Sequence, residues 1–369
     1  DYLGALIATL IFPFVLLPLV GVFRSSLVFG AINMSIGFVL LFMFADAVKP
    51  HLRKQYLAGA AVVSVCLFSL LGYAGHITRF WSQSLYDDHI VFQQQTRFQQ
   101  LVLTRFRDDV RFFINGNLQF SSSDEHRYHE VLIHIPLSQI PNREHILLLG
   151  GGDGLAVREV LKYPDVQHIT LVDLDPAVTE LATQNPLIAK LNQGALEDPR
   201  VTVVHADAFS FLDRTNLRFN AIISDLPDPN HTALARLYSR EFYSLVNQRL
   251  AADGVFATQA TSPYFAREAF WTIVQTLRAS SLGNAHPYHA YVPSFGDWGF
   301  VLSFARPQQE VNRSPGFSEL PLRFLTPSAT PALFAFPPDV LPPEKPLKVS
   351  TLDDPTVLHR YLESWNTWR

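Results

Sequence analysis

The run Gly150-Gly151-Gly152-Asp153-Gly154 constrains the fold of this chain more than any other segment. An apolar stretch, His145–Leu149, leads into it, and a helix-periodic stretch, Leu155–Leu161, leads out. Strand, glycine turn and helix together make a nucleotide-binding turn, because glycine permits tight turning and close backbone approach to a ligand. Glycine-rich turns also occur as plain connectors, so the neighbouring segments decide. His168–Val172 reads as a second strand and runs into Asp173, about twenty residues past the glycines, where an acid hydrogen-bonds ribose hydroxyls. Val201–Val204 reads as a third strand leading to Asp207-Ala208, the position where adenine is gripped. Asn220–Ser224 is a fourth, ending at Asp225, and Gly254–Gln259 a fifth. Helical patterns such as Leu237–Leu250 and Phe265–Ala279 separate them. This alternation specifies βαβ units and a mostly parallel sheet. Ala285–Tyr291 and Gly299–Ala305 read as a closing antiparallel pair. The fold class is therefore α/β, a Rossmann-like seven-stranded sheet.

Nicotinamide dinucleotides and S-adenosylmethionine-type ligands both fit that much. The segment Asp225-Leu226-Pro227-Asp228-Pro229 narrows the choice. Two carboxylates three residues apart at a strand end converge on the crevice where open α/β sheets bind ligands. A neutral amine attacking an alkyl sulfonium must lose a proton, and a polyamine carries further ammonium groups that need counter-charges. Paired carboxylates serve both needs. The plainer alternative is a solvated turn whose acids cap a helix.

The front of the chain has a different character. No charged residue occurs between Tyr2 and Phe23, from Leu27 to Ala45, or from Tyr56 to Gly75. Each stretch is about 20 residues, roughly 30 Å as helix, enough to cross a bilayer. Three such stretches do not fit a cleaved secretory signal, and they argue for a membrane region over buried core helices. The chain opens at Asp1 inside hydrophobic sequence, which suggests further spans upstream. Five of the 29 Lys/Arg and two of the 33 Asp/Glu lie within residues 1–79, leaving a net charge of −7 beyond them. That balance argues against a nucleic-acid partner and suits a cationic substrate. The single cysteine, Cys66, lies in the third stretch, so no disulfide framework or cysteine-based metal site can form.

Between these regions, Val110–Ile114, Asn115-Gly116 and Asn117–Phe120 spell a hairpin in a small β-domain, since Asn-Gly between apolar alternation is a strong hairpin signal. Asp124–Leu137 reads as a helix with Asp124 as N-cap. The expected domains are a membrane region over 1–79, a small β-domain and connecting helix over 80–140, the Rossmann-like domain over 141–306, and a Pro-rich tail over 307–369. Thr356–Trp368 would be a terminal helix.

From about Thr96 to Phe304 the chain resembles the spermidine synthases (polyamine aminopropyltransferases), in particular their membrane-attached bacterial branch. Thr96-Arg97-Phe98-Gln99 resembles the family's Ser-x-Tyr-Gln, and Asn115-Gly116-x-x-Gln119 its Asp-Gly-x-x-Gln. Asp124-Glu125-x-x-Tyr128-His129-Glu130 matches Asp-Glu-x-x-Tyr-His-Glu. The glycine run, Asp225-x-x-Asp228-Pro229, Gln259, Ser262-Pro263 and Trp298-Gly299-Phe300 also match. The resemblance implies that decarboxylated S-adenosylmethionine is a co-substrate, with no cofactor and no metal. It places the nucleoside against Gln99, Gly150, Gly152, Asp173, Asp207 and Ala208. It places the amine or aminopropyl group against Tyr128, His129, Asp153 and Asp228, with Asp225 as the base. It further implies a polyamine substrate, putrescine by default, and a homodimer or larger assembly.

Three departures bear on the amine and nucleoside contacts. Asn115 replaces an Asp, Asn230-His231-Thr232 stands where soluble members have Gly-Pro, and Pro293-Ser294-Phe295 stands where many have Pro-Thr-Tyr. The last removes a hydroxyl that Tyr288 or Tyr291 would have to replace. His126, His129, Glu130 and His134 share a helix, but the remaining ligands of a metal site are not evident. The expected location is the inner membrane, multi-pass, with the catalytic domain in the cytosol. The basic loop Lys49, His51, Arg53 and Lys54 points to the opposite orientation by the positive-inside rule. Two rival functions are a methyltransferase on the same fold and a membrane transporter or sensor that only binds polyamines.

Overall fold

The computed structural model describes residues 2–317 and 320–366. It divides into two compact units, Asp1–Asp108 with Ile114–Gly116, and Asp109–Phe113 with Asn117–Arg369.

The first unit opens with α1 (Tyr2–Ile11), a π-helical turn over Phe12–Leu16, α2 (Leu17–Met43) and α3 (Pro50–Ser84). Where three spans were expected, the described residues contain two helical stretches long and apolar enough to cross a bilayer, Phe23–Met43 and Pro50–Ile77. The first uncharged stretch is broken instead of straight. Pro13 and Pro18 lack the amide that a helix interior needs, the turn beside Pro13 widens to π geometry, and Gly21 takes a φ of 76°. The two long stretches have a mean hydropathy of 2.0, and only 0% and 6% of their apolar windows are buried. Ile36, Val39, Phe42, Val65 and Phe68 all stand exposed, which is not how core helices are built.

Strands β1 (His89–Gln95) and β2 (Gln100–Phe106) pair antiparallel. With β3 (Asp109–Ile114) and β4 (Asn117–Ser121) they make a small sheet ordered as in the chain. The β3–β4 connection is the expected hairpin. Asn115 and Gly116 have φ of 51° and 80°, as a type I′ turn demands.

The second unit continues with α4 (Glu125–Leu137), β5 (His145–Gly150), α5 (Leu155–Val160) and β6 (His168–Asp173). Next come α6 (Pro176–Gln184), α7 (Pro186–Asn192), β7 (Val201–His205), α8 (Ala208–Arg214), β8 (Phe219–Asp225), α9 (Thr232–Ala235) and α10 (Arg240–Arg249). The unit ends with β9 (Leu250–Gln259), α11 (Arg267–Arg278), β10 (His286–Val292), β11 (Gly296–Phe304) and α12 (Thr356–Asn366). Seven strands form one sheet in the order β10-β11-β9-β8-β5-β6-β7. β9, β8, β5, β6 and β7 run parallel, and β11 and β10 close the edge antiparallel. Ile146–Leu149, Ala221–Ile223 and Val255–Ala257 are fully buried, because helices cover both faces of a parallel sheet. Phe242, Val246, Phe270 and Ile273 from α10 and α11 share their core with Leu147, Ile222 and Phe256.

The chain leaves β5 towards β6 and β7 on one side, then returns to place β8 on the other. Between β5 and β8 lies the switch point where such sheets bind ligands. There Gly150 pairs with Asp225.

Two local expectations change. Asp124 does not cap α4 through its side chain; its carboxylate instead accepts from the Ser294 amide at 2.6 Å and the Ser294 hydroxyl at 2.9 Å. The Pro-rich tail is irregular, as expected, but firmly tied. Buried Glu130 accepts the backbone amides of Arg323, Phe324 and Leu325 at 2.7, 2.9 and 3.0 Å. The Trp271 indole donates to the Val340 carbonyl at 2.8 Å, and the Ser350 amide to Thr276 Oγ1 at 3.0 Å. Helix α12 follows, and residues 367–369, which include the end of the expected Thr356–Trp368 helix, lie outside the described residues.

Glu130→Ala leaves three amides without their charged acceptor and is expected to lower the unfolding free energy by roughly 2–5 kcal/mol. Urea unfolding measures the loss, and limited proteolysis is expected to cut first within 306–340 as the tail comes loose.

Candidate active site

Gly150 has φ of 80°, and a Cβ there would strike the Asp225 carbonyl. Only glycine lets β5 and β8 approach this closely, so the glycine run is required by the sheet itself. A Cβ at Gly152 would come within 2.5 Å of Asp173 Oδ2. The Gly152 amide donates to that same oxygen at 3.0 Å, and the Asp175 amide donates to Asp173 Oδ1 at 3.0 Å. Asp173 thus steadies the turn and keeps lone pairs for a ligand. Burial pushes its carboxyl up, against the pull of those two amides. Asp153, beside it, accepts the Leu155 amide at 2.9 Å at the start of α5.

Helix α4 carries Tyr128 and His129, both almost fully buried. The Tyr128 hydroxyl donates to Asp225 Oδ1 at 2.6 Å, with its ring packed by Phe295 and Phe300. His129 Nδ1 lies 2.9 Å from Glu125 Oε2 and 2.8 Å from the Glu125 carbonyl. Arg158 from α5 grips both Glu125 oxygens, at 3.0 and 2.9 Å, and also meets Glu159. Glu159 continues to His134 at 2.8 Å and to Lys162 at 2.6 Å. Burial alone would raise the Glu125 carboxyl, but His129 and Arg158 hold it down at about 2. Burial alone would lower His129; Glu125, helped by Asp153 and Asp225, raises it to about 9. His129 is therefore a fixed cation at neutral pH, set beside the cleft acids.

The loop after β8 is braced from the core. The Tyr238 hydroxyl donates to the Pro227 carbonyl at 2.9 Å. Gln259 Nε2 donates to the Leu226 carbonyl at 2.6 Å and lies 3.3 Å from Asp228 Oδ1. Asp228 Oδ2 accepts from the Tyr361 hydroxyl at 3.0 Å and from Thr261 Oγ1 at 3.4 Å. Burial raises Asp228 to about 6 against those three donors. Burial raises Asp153 to about 6 as well, with His129 opposing and Asp225 adding to it. Asp225 is also raised by burial, held back by His129 and by the Tyr128 hydrogen bond.

Tyr128, His129, Gly150, Gly152, Asp153, Asp173, Asp225 and Asp228 thus come together at the switch point. Asp207 N-caps α8 through Ser210 and pairs with Arg236, whose guanidinium lies over Phe209; Ala208 is the first residue of that helix. Gln99 belongs to the first unit, where its amide donates to Thr96 Oγ1 at 3.0 Å. Of the two substitute hydroxyls, Tyr288 is buried with no hydrogen-bond partner among the described residues, and Tyr291 is 60% exposed. Glu125, Arg158, Tyr238 and Tyr361 gain roles that sequence reasoning did not assign. The four-residue Glu125–His129 spacing on a helix was a usable signal, whereas nothing local marks Tyr361.

Deprotonated Asp153 costs stability, since its folded value lies above the ordinary 3.8. For a carboxyl raised on folding, that cost is present above pH 6 and disappears as pH falls towards 4. Asp153→Asn is therefore expected to stabilise the free protein at pH 8 by roughly 1–3 kcal/mol. Thermal unfolding should show this gain shrinking away by pH 4–5; a gain equal at both pH values would contradict it.

The Spermine/spermidine synthase domain family matches residues 125–315. A polyamine aminopropyltransferase of Oceanobacillus iheyensis is 41% identical over 372 residues, covering 100% of this chain and 71% of that protein. Polyamine aminopropyltransferase 2 of Ralstonia nicotianae is 40% identical, covering 99% and 71%. A crystal structure of a spermidine synthase with the transition-state analogue AdoDATO superposes with a TM-score of 0.62 at 25% identity, covering 68% of this chain and 86% of that one. The spermidine synthase of Thermotoga maritima shares the fold, with a TM-score of 0.59 at 24% identity, covering 68% and 85%.

Proposed function

The chain belongs to the spermine/spermidine synthase family, and we propose on that premise that it transfers the aminopropyl group of decarboxylated S-adenosylmethionine to an amine, with putrescine as the default acceptor. The observation that carries this reading is the set of acids around one switch point. Asp153, Asp225 and Asp228 are all raised by burial, with Tyr128 hydrogen-bonded to Asp225. Such a cluster is destabilising on its own and favours cations. The donor brings a sulfonium and a primary ammonium, and a diamine brings more positive charge.

In the reaction, the amine nitrogen attacks the carbon next to sulfur. The carbon–sulfur bond breaks, its electron pair stays on sulfur, and methylthioadenosine leaves. The attacking nitrogen passes a proton to Asp225. The raised affinity of Asp225 for protons suits it to that task, and Tyr128 fixes its orientation. Asp153 and His129 would face the aminopropyl group, and Asp228 the distal end of the acceptor. Gly150, Gly152, Asp173, Asp207 and Ala208 would hold the nucleoside. For adenine to engage Asp207, it must share that carboxylate with Arg236. Alignment of two bound substrates then supplies much of the rate.

We propose further that Phe23–Met43 and Pro50–Ile77 cross a bilayer, the inner membrane of a bacterial cell. Their length, hydropathy and exposure support this. The chemistry of the donor, a cellular nucleoside, supports a cytosolic catalytic unit, although the basic connector 49–54 argues for the other side. Assembly as a dimer or larger oligomer is drawn from the family resemblance.

Asp225→Asn keeps the hydrogen bond from Tyr128 but removes the base. It is expected to lower kcat for methylthioadenosine release by about 10²–10⁴-fold while leaving donor binding in place. Turnover with a panel of amines, alongside calorimetric binding of the donor, checks both halves.

A further inference from the structure

The amine site ends on a residue 133 positions from the acid it serves. The Tyr361 hydroxyl, from the C-terminal helix α12, donates to Asp228 Oδ2 at 3.0 Å. The other two donors to Asp228 are Gln259 at 3.3 Å and Thr261 at 3.4 Å, both longer. Phe295 has no hydroxyl to offer, Tyr288 is buried with no partner among the described residues, and Tyr291 faces solvent. Tyr361 is thus the tyrosine hydroxyl that reaches the distal acid.

Its helix is tied down at several points. Val357 and Leu358 are buried in the main core, and Tyr361 packs with Ala266 and Ala269 of α11 and the turn before it. One turn on, Trp365 stacks on Phe265 with ring centroids 5.8 Å apart and planes 20° apart. Arg360 pairs with Glu268 of α11 at 3.1 Å. Upstream, the Ser350 carbonyl accepts the Arg240 amide at 2.9 Å. The helix is therefore held where its tyrosine meets Asp228, beyond the end of β9.

We propose that Tyr361 is the specificity-determining residue of the amine site: it fixes the Asp228 carboxylate for the distal ammonium and limits the length of acceptor that fits. This rests on the aminopropyl-transfer reading. Asp225 receives the attacking nitrogen, so Asp228 and whatever lies behind it set where the other end must stop. Oδ2 accepts from Tyr361 and Thr261 and Oδ1 from Gln259 alone, so Oδ1 keeps a lone pair to meet the ammonium. The ring of Tyr361, backed by Trp365 and Phe265, walls off longer chains.

Tyr361→Phe in the full chain removes the hydroxyl and keeps the ring, and Tyr361→Ala removes both. Tyr361→Phe is expected to raise KM for putrescine about tenfold, with kcat within twofold and donor KM unchanged. The pH below which that KM climbs should also move upward, since Asp228 loses a donor that favours its ionised form. Tyr361→Ala should shift the kcat/KM ratio of cadaverine to putrescine towards cadaverine. An unchanged putrescine KM in Tyr361→Phe, or a parallel loss of kcat and donor KM, would overturn the proposal. Calorimetry of putrescine on protein saturated with methylthioadenosine reads the same contact without turnover. Wild type that binds putrescine tightly, and tenfold more weakly as Tyr361→Phe, yet transfers nothing, would sink the transfer reading and leave Tyr361 as an amine-site residue.

Discussion

Acids that are hard to ionise, gathered at the ends of parallel strands, are the constraint on which the rest of this structure depends. Asp153, Asp173, Asp225 and Asp228 are all shifted upward by burial. A chain keeps such a cluster against its own stability, and the strain is relieved when cations arrive. The sheet topology is what gathers them. β5 and β8 are adjacent only because the chain crosses over after β7, and they pack this closely only because Gly150 has no side chain.

The acids do not stand alone. A largely buried chain of polar contacts runs from His129 through Glu125 and Arg158 to Glu159, which meets both His134 and Lys162. It favours the protonated form of His129 at the cleft and ties α4 to α5. Such a network contributes little net stability, because desolvation offsets much of the attraction. Its effect is positional: α4 carries Tyr128 to Asp225 on one face and Glu130 to the C-terminal tail on another. The tail in turn leads to α12, whose Tyr361 meets Asp228.

How much of this was legible in the sequence follows from the range of each interaction. The seven strands, the glycine turn and the acids at strand ends declared themselves through periodicity and position, and the structure has them where they were read. The Asn115-Gly116 turn was equally plain, because its backbone angles suit few other residues. What stayed hidden was long-range. Tyr361 meets Asp228 across 133 positions and Arg158 meets Glu125 across 33, and no local pattern announces either pair. Asp124 looked like a helix cap by type, but Ser294, 170 positions away, offered it a better pair of donors. The first uncharged stretch had the composition of a span, and its two prolines and Gly21 carried the signal that it would not run straight.

The central claim is that the cleft is built for a donor bearing a cation, and no carboxylate, beside Asp153. Calorimetry at about pH 7.5 with decarboxylated S-adenosylmethionine and with S-adenosylmethionine itself tests it most directly. The extra carboxylate would meet Asp153 and Asp225 at close range, so the decarboxylated donor should bind at least about tenfold more tightly, a difference of about 1.4 kcal/mol. Equal affinity, or a preference for S-adenosylmethionine, would contradict the claim and mark the site as one for methyl transfer.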